Sequence, residues 1–145
     1  MNTLRISNQW QQPNIMLLNL YPGLAVDPLI NLLTKASCQA LLINAYGNGN
    51  LPDNASMRRL LEHTREQSIP VFVHSQCLEG NVDFGLYAAS ALFTEYGAIS
   101  CGMMPIEAAL TKLQILCSES ASAEQTISGF LQPVAREWQN VSSHK

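Results

Sequence analysis

Four short apolar runs, each closed by turn residues and followed by a helical pattern, constrain this chain more than any other feature. They are NIMLLNLY at 14–21, ALLINA at 40–45, PVFVH at 70–74 and AISC at 98–101. A short apolar run bounded by turn residues reads as a buried strand. Strand and helix alternate throughout, and no hairpin signal joins one run to the next. Parallel neighbours need crossover connections, which are almost always right-handed. The order therefore predicts an α/β domain with a four-stranded parallel sheet and helices on its faces.

The helical segments carry their own signals. Asp27 is a candidate cap with Pro28 in the first turn, and Leu29, Ile30, Leu32 and Leu33 supply the buried face of that helix. Asp53 or Asn54 opens the next helix, where Met57, Leu60 and Leu61 recur at helical spacing while Arg58, Arg59, Glu62 and Arg65 face water. A small-residue helix over 84–96 ends at Gly97, suited to a left-handed cap. Pro105 stands before IEAALTKLQILC, whose Ile106, Ala109, Leu110, Leu113 and Leu116 form one stripe. A last helix runs from Ala123 to about Trp138, with a break near Pro133. Residues 1–13 read as a polar arm or linker, 14–139 as the domain and 140–145 as a frayed tail.

Composition narrows the function classes. Charged residues make up only 13% of the 145, and the formal net charge is −3. Such a chain has no basic stripe for nucleic acid or an anionic membrane, so neither is expected as a partner. With no long apolar run and no leader-like N-terminus, the expected compartment is the cytoplasm. Cys38, Cys77, Cys101 and Cys117 are scattered without zinc-like spacing, so reduced thiols and no metal are expected.

Three turn segments follow strands and would gather at one sheet edge: Tyr21-Pro22-Gly23, the loop from Tyr46 to Asn50, and Ser75 to Gly80. Ligands of open α/β sheets bind outside the carboxyl ends of the strands. Tyr46, Asn48, Asn50, Ser75, Gln76 and Cys77 bring hydroxyl, amide and thiol groups there, which suit recognition of a small polar ligand. They do not form an evident catalytic set. His74 and Ser75 are neighbours on a strand and point to opposite faces, and no G-x-S-x-G occurs. Gly47-Asn48-Gly49 begins like a dinucleotide fingerprint, but Pro52 stands at the third glycine position, and a P-loop is absent. No cofactor is expected.

Four blocks in series then become specific: LYPG at 20–23, YGNGNLP at 46–52, SQCLEGNVDFGLYAAS at 75–90 and IEAALTKL at 106–113. Together they resemble the C-terminal domain of the bacterial type I, cytoplasmic L-asparaginases. The resemblance implies a flavodoxin-like or Rossmann-like three-layer domain with helices on both faces of the sheet. It also implies that the catalytic threonines, in Thr-Gly-Gly-Thr and Thr-Asp-Thr segments, and the catalytic Lys and Asp belong to an N-terminal domain whose motifs this chain does not contain. No residue here is therefore assigned a catalytic role. In that family, the Asn matching Asn50 reaches toward a neighbour's active site across a tight dimer, and a Cys matching Cys77 helps bind asparagine as an effector. An effector-site Arg is replaced here by Asn44, and an Asp-Met-Thr by Met103-Met104-Pro105.

The expectation is thus a non-catalytic, stand-alone asparaginase C-terminal-like domain that binds a small amide amino acid such as L-asparagine, or a protein partner. An alternative is a fragment or separate subunit of an L-asparaginase, active only beside a catalytic N-terminal domain. A third reading, an independent enzyme pairing Cys77 with His74, lacks a positioned base. A homodimer is expected, because a domain of this kind otherwise leaves apolar surface exposed.

Overall fold

The computed structural model describes residues 10–45, 52–75 and 88–133. Its elements follow in the order β1 (Ile15–Asn19), α1 (Asp27–Lys35), β2 (Ala40–Ala45), α2 (Ala55–Glu66), β3 (Val71–Ser75), α3 (Ala88–Glu95), β4 (Ile99–Ser100), α4 (Ile106–Glu119) and α5 (Ala123–Phe130). The four strands form one parallel sheet in the spatial order β1-β2-β3-β4. The expected α/β architecture, with a four-stranded parallel sheet and helices on both faces, is what the chain adopts.

Alternation along the strands divides the core in two. Leu18, Leu41, Ile43, Val71 and Val73 pack with Leu33 of α1, Met57, Leu60 and Leu61 of α2, and Leu92 and Phe93 of α3. Ala40, Leu42 and Phe72 point the other way and meet Ala109, Leu113, Leu116 and Cys117 of α4 and Phe130 of α5. Successive side chains of a strand face opposite sides, so one residue's shift in register would exchange the two cores. The first three helices share one face because the strands advance in a single direction. The chain changes face only after β4.

The helix ends show which local signals act. Asn54 caps α2 by accepting from the Met57 amide at 2.9 Å, and Ser122 accepts from the Gln125 amide at the start of α5. Each satisfies a donor that the first turn leaves without a helical partner. Asp27 does not cap α1. Val26 holds the cap position, and Asp27 sits inside the first turn, where its carboxylate binds Arg59 at 2.9 Å and Ser56 at 2.9 Å. Leu32, assigned to the buried stripe of α1 from its spacing, is 52% exposed, while Leu33 is buried. Gly97 takes φ +69° after α3, as a left-handed cap requires.

Two contacts tie α5 to the second face. The Phe130 ring lies 4.6 Å from that of Phe72, in the range of a tilted aromatic pair. Buried Lys112 donates to the Gln132 carbonyl at 2.7 Å and places its ammonium 5.3 Å from the Phe130 ring. The α1–α2 side carries a further bond, between Thr34 Oγ1 and His63 Nε2 at 2.8 Å. His63 is therefore half-buried between two helices rather than on an open face.

Candidate functional site

The last row of the sheet that pairs across three strands is polar. Asn19 stands opposite Asn44 in the β1–β2 register, and Asn44 opposite His74 in the β2–β3 register. Equal positions in a parallel sheet face the same side, so these side chains form one line on the α4–α5 face, directly beyond Leu17, Leu42 and Phe72. Asn44 Nδ2 donates to Asn19 Oδ1 at 2.8 Å, and His74 Nδ1 lies 2.9 Å from Asn44 Oδ1. Asn44 is the hub. It is half-buried, its own carbonyl accepts from the Leu20 amide at 3.0 Å, and its carboxamide bonds to both neighbours.

His74 is the one titratable group in this line. Burial lowers its pKa from the ordinary imidazole value, opposed by a backbone hydrogen bond with Met104 and by the charge of Glu107. Its ring meets a carboxamide at Nδ1 rather than a carboxylate, so no acid–base dyad of the kind that activates a nucleophile is built around it among the described residues.

The Tyr21-Pro22-Gly23 turn follows β1 and opens onto the other, α1–α3 side of the sheet, with Leu20 and Val26. Leu24 closes it with a hydrogen bond to the Tyr21 carbonyl at 3.1 Å, and Gly23 has φ +88°, the conformation the third residue of a type II turn needs. Together with Leu20, Leu24, Val26, Pro52 and Asn54, the turn lines a cavity of about 190 Å³. This is below the usual range of roughly 300–1,000 Å³ for drug-sized ligands, so only a small molecule fits. Tyr21 is exposed at its mouth.

Of the residues singled out from sequence, Ser75 ends β3 opposite Ala45. Tyr46, Asn48, Asn50, Gln76 and Cys77 lie outside the described residues. The carboxyl edge holds two contributors that the loop motifs did not reveal, Asn19 and the bonded state of Asn44. An Asn at the end of an apolar run reads as a strand terminator, and nothing local shows that it has partners 25 and 30 positions away.

The other thiols are quiet. Cys38, Cys101 and Cys117 are free and partly or fully buried. Desolvation raises the pKa of all three, with Cys101 pushed up to about 12. Such thiols are poor nucleophiles near neutral pH. Met103 is 58% exposed while Met104 is buried in the second core.

Comparison with known proteins places this architecture. The glutaminase/asparaginase C-terminal domain family matches residues 14–130. L-asparaginase 1 of Escherichia coli K12 is 34% identical over 110 residues, which are 76% of this chain and 32% of that protein. L-asparaginase of Thermococcus kodakarensis is 31% identical over 115 residues, 78% of this chain and 34% of that one. The crystal structure of L-asparaginase I from Vibrio cholerae superposes with a TM-score of 0.79 at 30% identity, covering 92% of this chain and 40% of the other. The chain thus spans about a third of the length of the curated relatives it matches. With the four sequence blocks, the sheet and these likenesses in agreement, the chain belongs to the glutaminase/asparaginase C-terminal domain family.

Proposed function

We propose that this domain recognises a small amide amino acid, such as L-asparagine, at the carboxyl edge of its sheet and does no chemistry of its own. The observation that carries this reading is the Asn19–Asn44–His74 line. A sheet end given only to packing would continue the apolar rows below it, and here three strands instead present carboxamide and imidazole groups in mutual hydrogen bonds. Such an array suits an amide ligand, which needs donors and acceptors together. Tyr46, Asn48, Asn50, Ser75, Gln76 and Cys77 complete the proposed contact set.

Isothermal calorimetry with L-asparagine, controlled with D-asparagine and L-aspartate, tests the reading, followed by ammonia release on the same sample. Selective heat with L-asparagine and no ammonia supports it. Absence of heat removes ligand recognition, and ammonia removes the non-catalytic assignment.

A second reading, in which the chain serves as one half of an asparaginase beside a separate catalytic domain, is favoured by the coverage, 32% of the E. coli relative and 40% of the V. cholerae one. Ammonia released only when the chain is mixed with an asparaginase-type N-terminal domain would establish it.

A further inference from the structure

The direction of the hydrogen bonds along Asn19, Asn44 and His74 depends on which ring nitrogen carries a proton. Asn44 Nδ2 donates to Asn19 Oδ1 at 2.8 Å, which turns Asn44 Oδ1, an acceptor, toward His74 Nδ1 at 2.9 Å. That second bond needs a proton on Nδ1. The ring's other hydrogen bond goes to the Met104 backbone and favours the charged form, so the Met104 carbonyl accepts it. With Nδ1 held by Asn44, the proton given to Met104 is that of Nε2. Both ring nitrogens thus face acceptors, an arrangement that only the imidazolium satisfies on both sides.

A neutral ring has one N–H for these two acceptors, and the acceptors differ in kind. The Met104 carbonyl is fixed in the backbone between β4 and α4. A carboxamide keeps its shape after a half-turn of its plane while exchanging donor for acceptor. The neutral ring therefore keeps its proton on Nε2 for Met104, and Asn44 turns its NH2 to the bare Nδ1. The Asn44 oxygen then faces Asn19, which must turn in the same way to donate. Asn19 is exposed, so the group it does not give to Asn44 faces solvent. Burial favours the neutral ring, and the charge of Glu107 on α4 favours the charged one. Cys101, which follows the β4 partner of Val73, is the other titratable group beside the ring among the described residues, and burial pushes its thiol up to about 12.

We propose that His74 is a positioning residue that sets which group Asn19 presents at the carboxyl edge: the carbonyl oxygen while the ring is neutral, the NH2 once it is protonated. For the amide amino acid proposed above, and resting on that reading, this sets specificity. A presented oxygen accepts from the NH2 of asparagine but not from the carboxylate of aspartate, which has no proton to give. A presented NH2 donates to either. Preference for the amide over the acid therefore belongs to the neutral ring and is lost when the ring charges.

Side-chain NMR of the isotope-labelled chain without ligand, from about pH 4 to 8, tests the switch separately from ligand recognition. At the upper end the His74 ring should be protonated at Nε2 alone, with nuclear Overhauser contacts from the Asn44 NH2 to the ring and from the Asn19 NH2 to Asn44. As His74 titrates, Nδ1 should gain its proton, the Asn44 NH2 should move its contacts to Asn19, and the Asn19 NH2 should lose its own. Asn44→Asp places acceptors on both sides of the hub, so it should raise the measured His74 pKa and keep the Asn19 NH2 on residue 44 throughout. A neutral ring protonated at Nδ1 overturns the proposal, as do Asn44 contacts that ignore the titration or an Asn19 NH2 that still turns away in Asn44→Asp. In calorimetry the ratio of L-asparagine to L-aspartate affinity should fall at least ~10-fold as the ring charges, and an unchanged ratio overturns the specificity. No heat with either amino acid at any pH removes the recognition reading, while the ring measurements still decide the switch.

Discussion

Replacing Asn44 with Ala should cost far more than replacing Asn19, although both stand in the same line. Asn44 supplies the 2.8 Å bond to Asn19 and the 2.9 Å bond to His74. A net intramolecular hydrogen bond contributes about 1 kcal/mol, and a ring nitrogen left half-buried without its partner adds about 1 kcal/mol more. Asn44→Ala is therefore expected to destabilise by about 2–3 kcal/mol, or roughly 6–9 °C at about 3 °C per kcal/mol for a domain of this size. Asn19 is exposed and makes one bond of the line. Water replaces its partner on substitution, so Asn19→Ala should cost less than about 1 kcal/mol. In the Asn44→Ala background the Asn19 bond is already gone, and adding Asn19→Ala should change almost nothing, a coupling that a double-mutant cycle reads directly. Urea unfolding of the two single variants and the double variant measures all three values. The argument fails if Asn19→Ala costs as much as Asn44→Ala, or if the two effects simply add, because Asn44 would then not be the link between its neighbours.

Three other outcomes follow from the same structure. Because the folded-state pKa of His74 is depressed by burial, the unfolded chain binds more protons between that value and the ordinary imidazole pKa of about 6.5. Stability should thus be complete above about pH 6.5 and fall as pH drops through the folded value, and His74→Gln should flatten urea midpoints measured across that window. Phe130→Ala removes a fully buried ring that packs on Phe72 and faces Lys112, with an expected cost of about 3–5 kcal/mol. Phe130→Leu, which refills most of that space, should cost less than half as much in the same denaturation assay. Ser68 holds φ +55° without being glycine, so Ser68→Gly should stabilise by about 0.5–1 kcal/mol in thermal melts, whereas Gly97→Ala, at φ +69°, should destabilise by about 1 kcal/mol.

The fold was legible because its signals are local. The β2 run at 40–45 coincides with the observed strand, since its residues are apolar on both faces, as a central parallel strand demands. Pro105 and Gly97 mark their helix boundaries because a fixed φ and a left-handed φ are properties of single residues. Asp27 misled because two functions compete for the same carboxylate, and the bond to Arg59, 32 positions away, prevails over capping. Leu32 misled for a related reason: the spacing shows an apolar helix stripe but not where the neighbouring element ends. The polar line was illegible altogether. Asn19, Asn44 and His74 become neighbours only when strand order and register are both known, and neither is encoded in any one segment. Of the loop residues chosen for recognition, Ser75 alone lies among the described residues.

The single direction in which the strands advance has a consequence for synthesis. Everything needed to cover the α1–α3 side is made alongside the strands, whereas the opposite side waits for the final helices. A ribosome extending at about 5–20 residues per second takes roughly 3–12 s to travel from Phe72 to its partner Phe130. During that interval the nascent chain holds a half-dressed sheet with Leu42 and Phe72 bare, an adhesive intermediate whose safe passage depends on how quickly translation delivers α4 and α5.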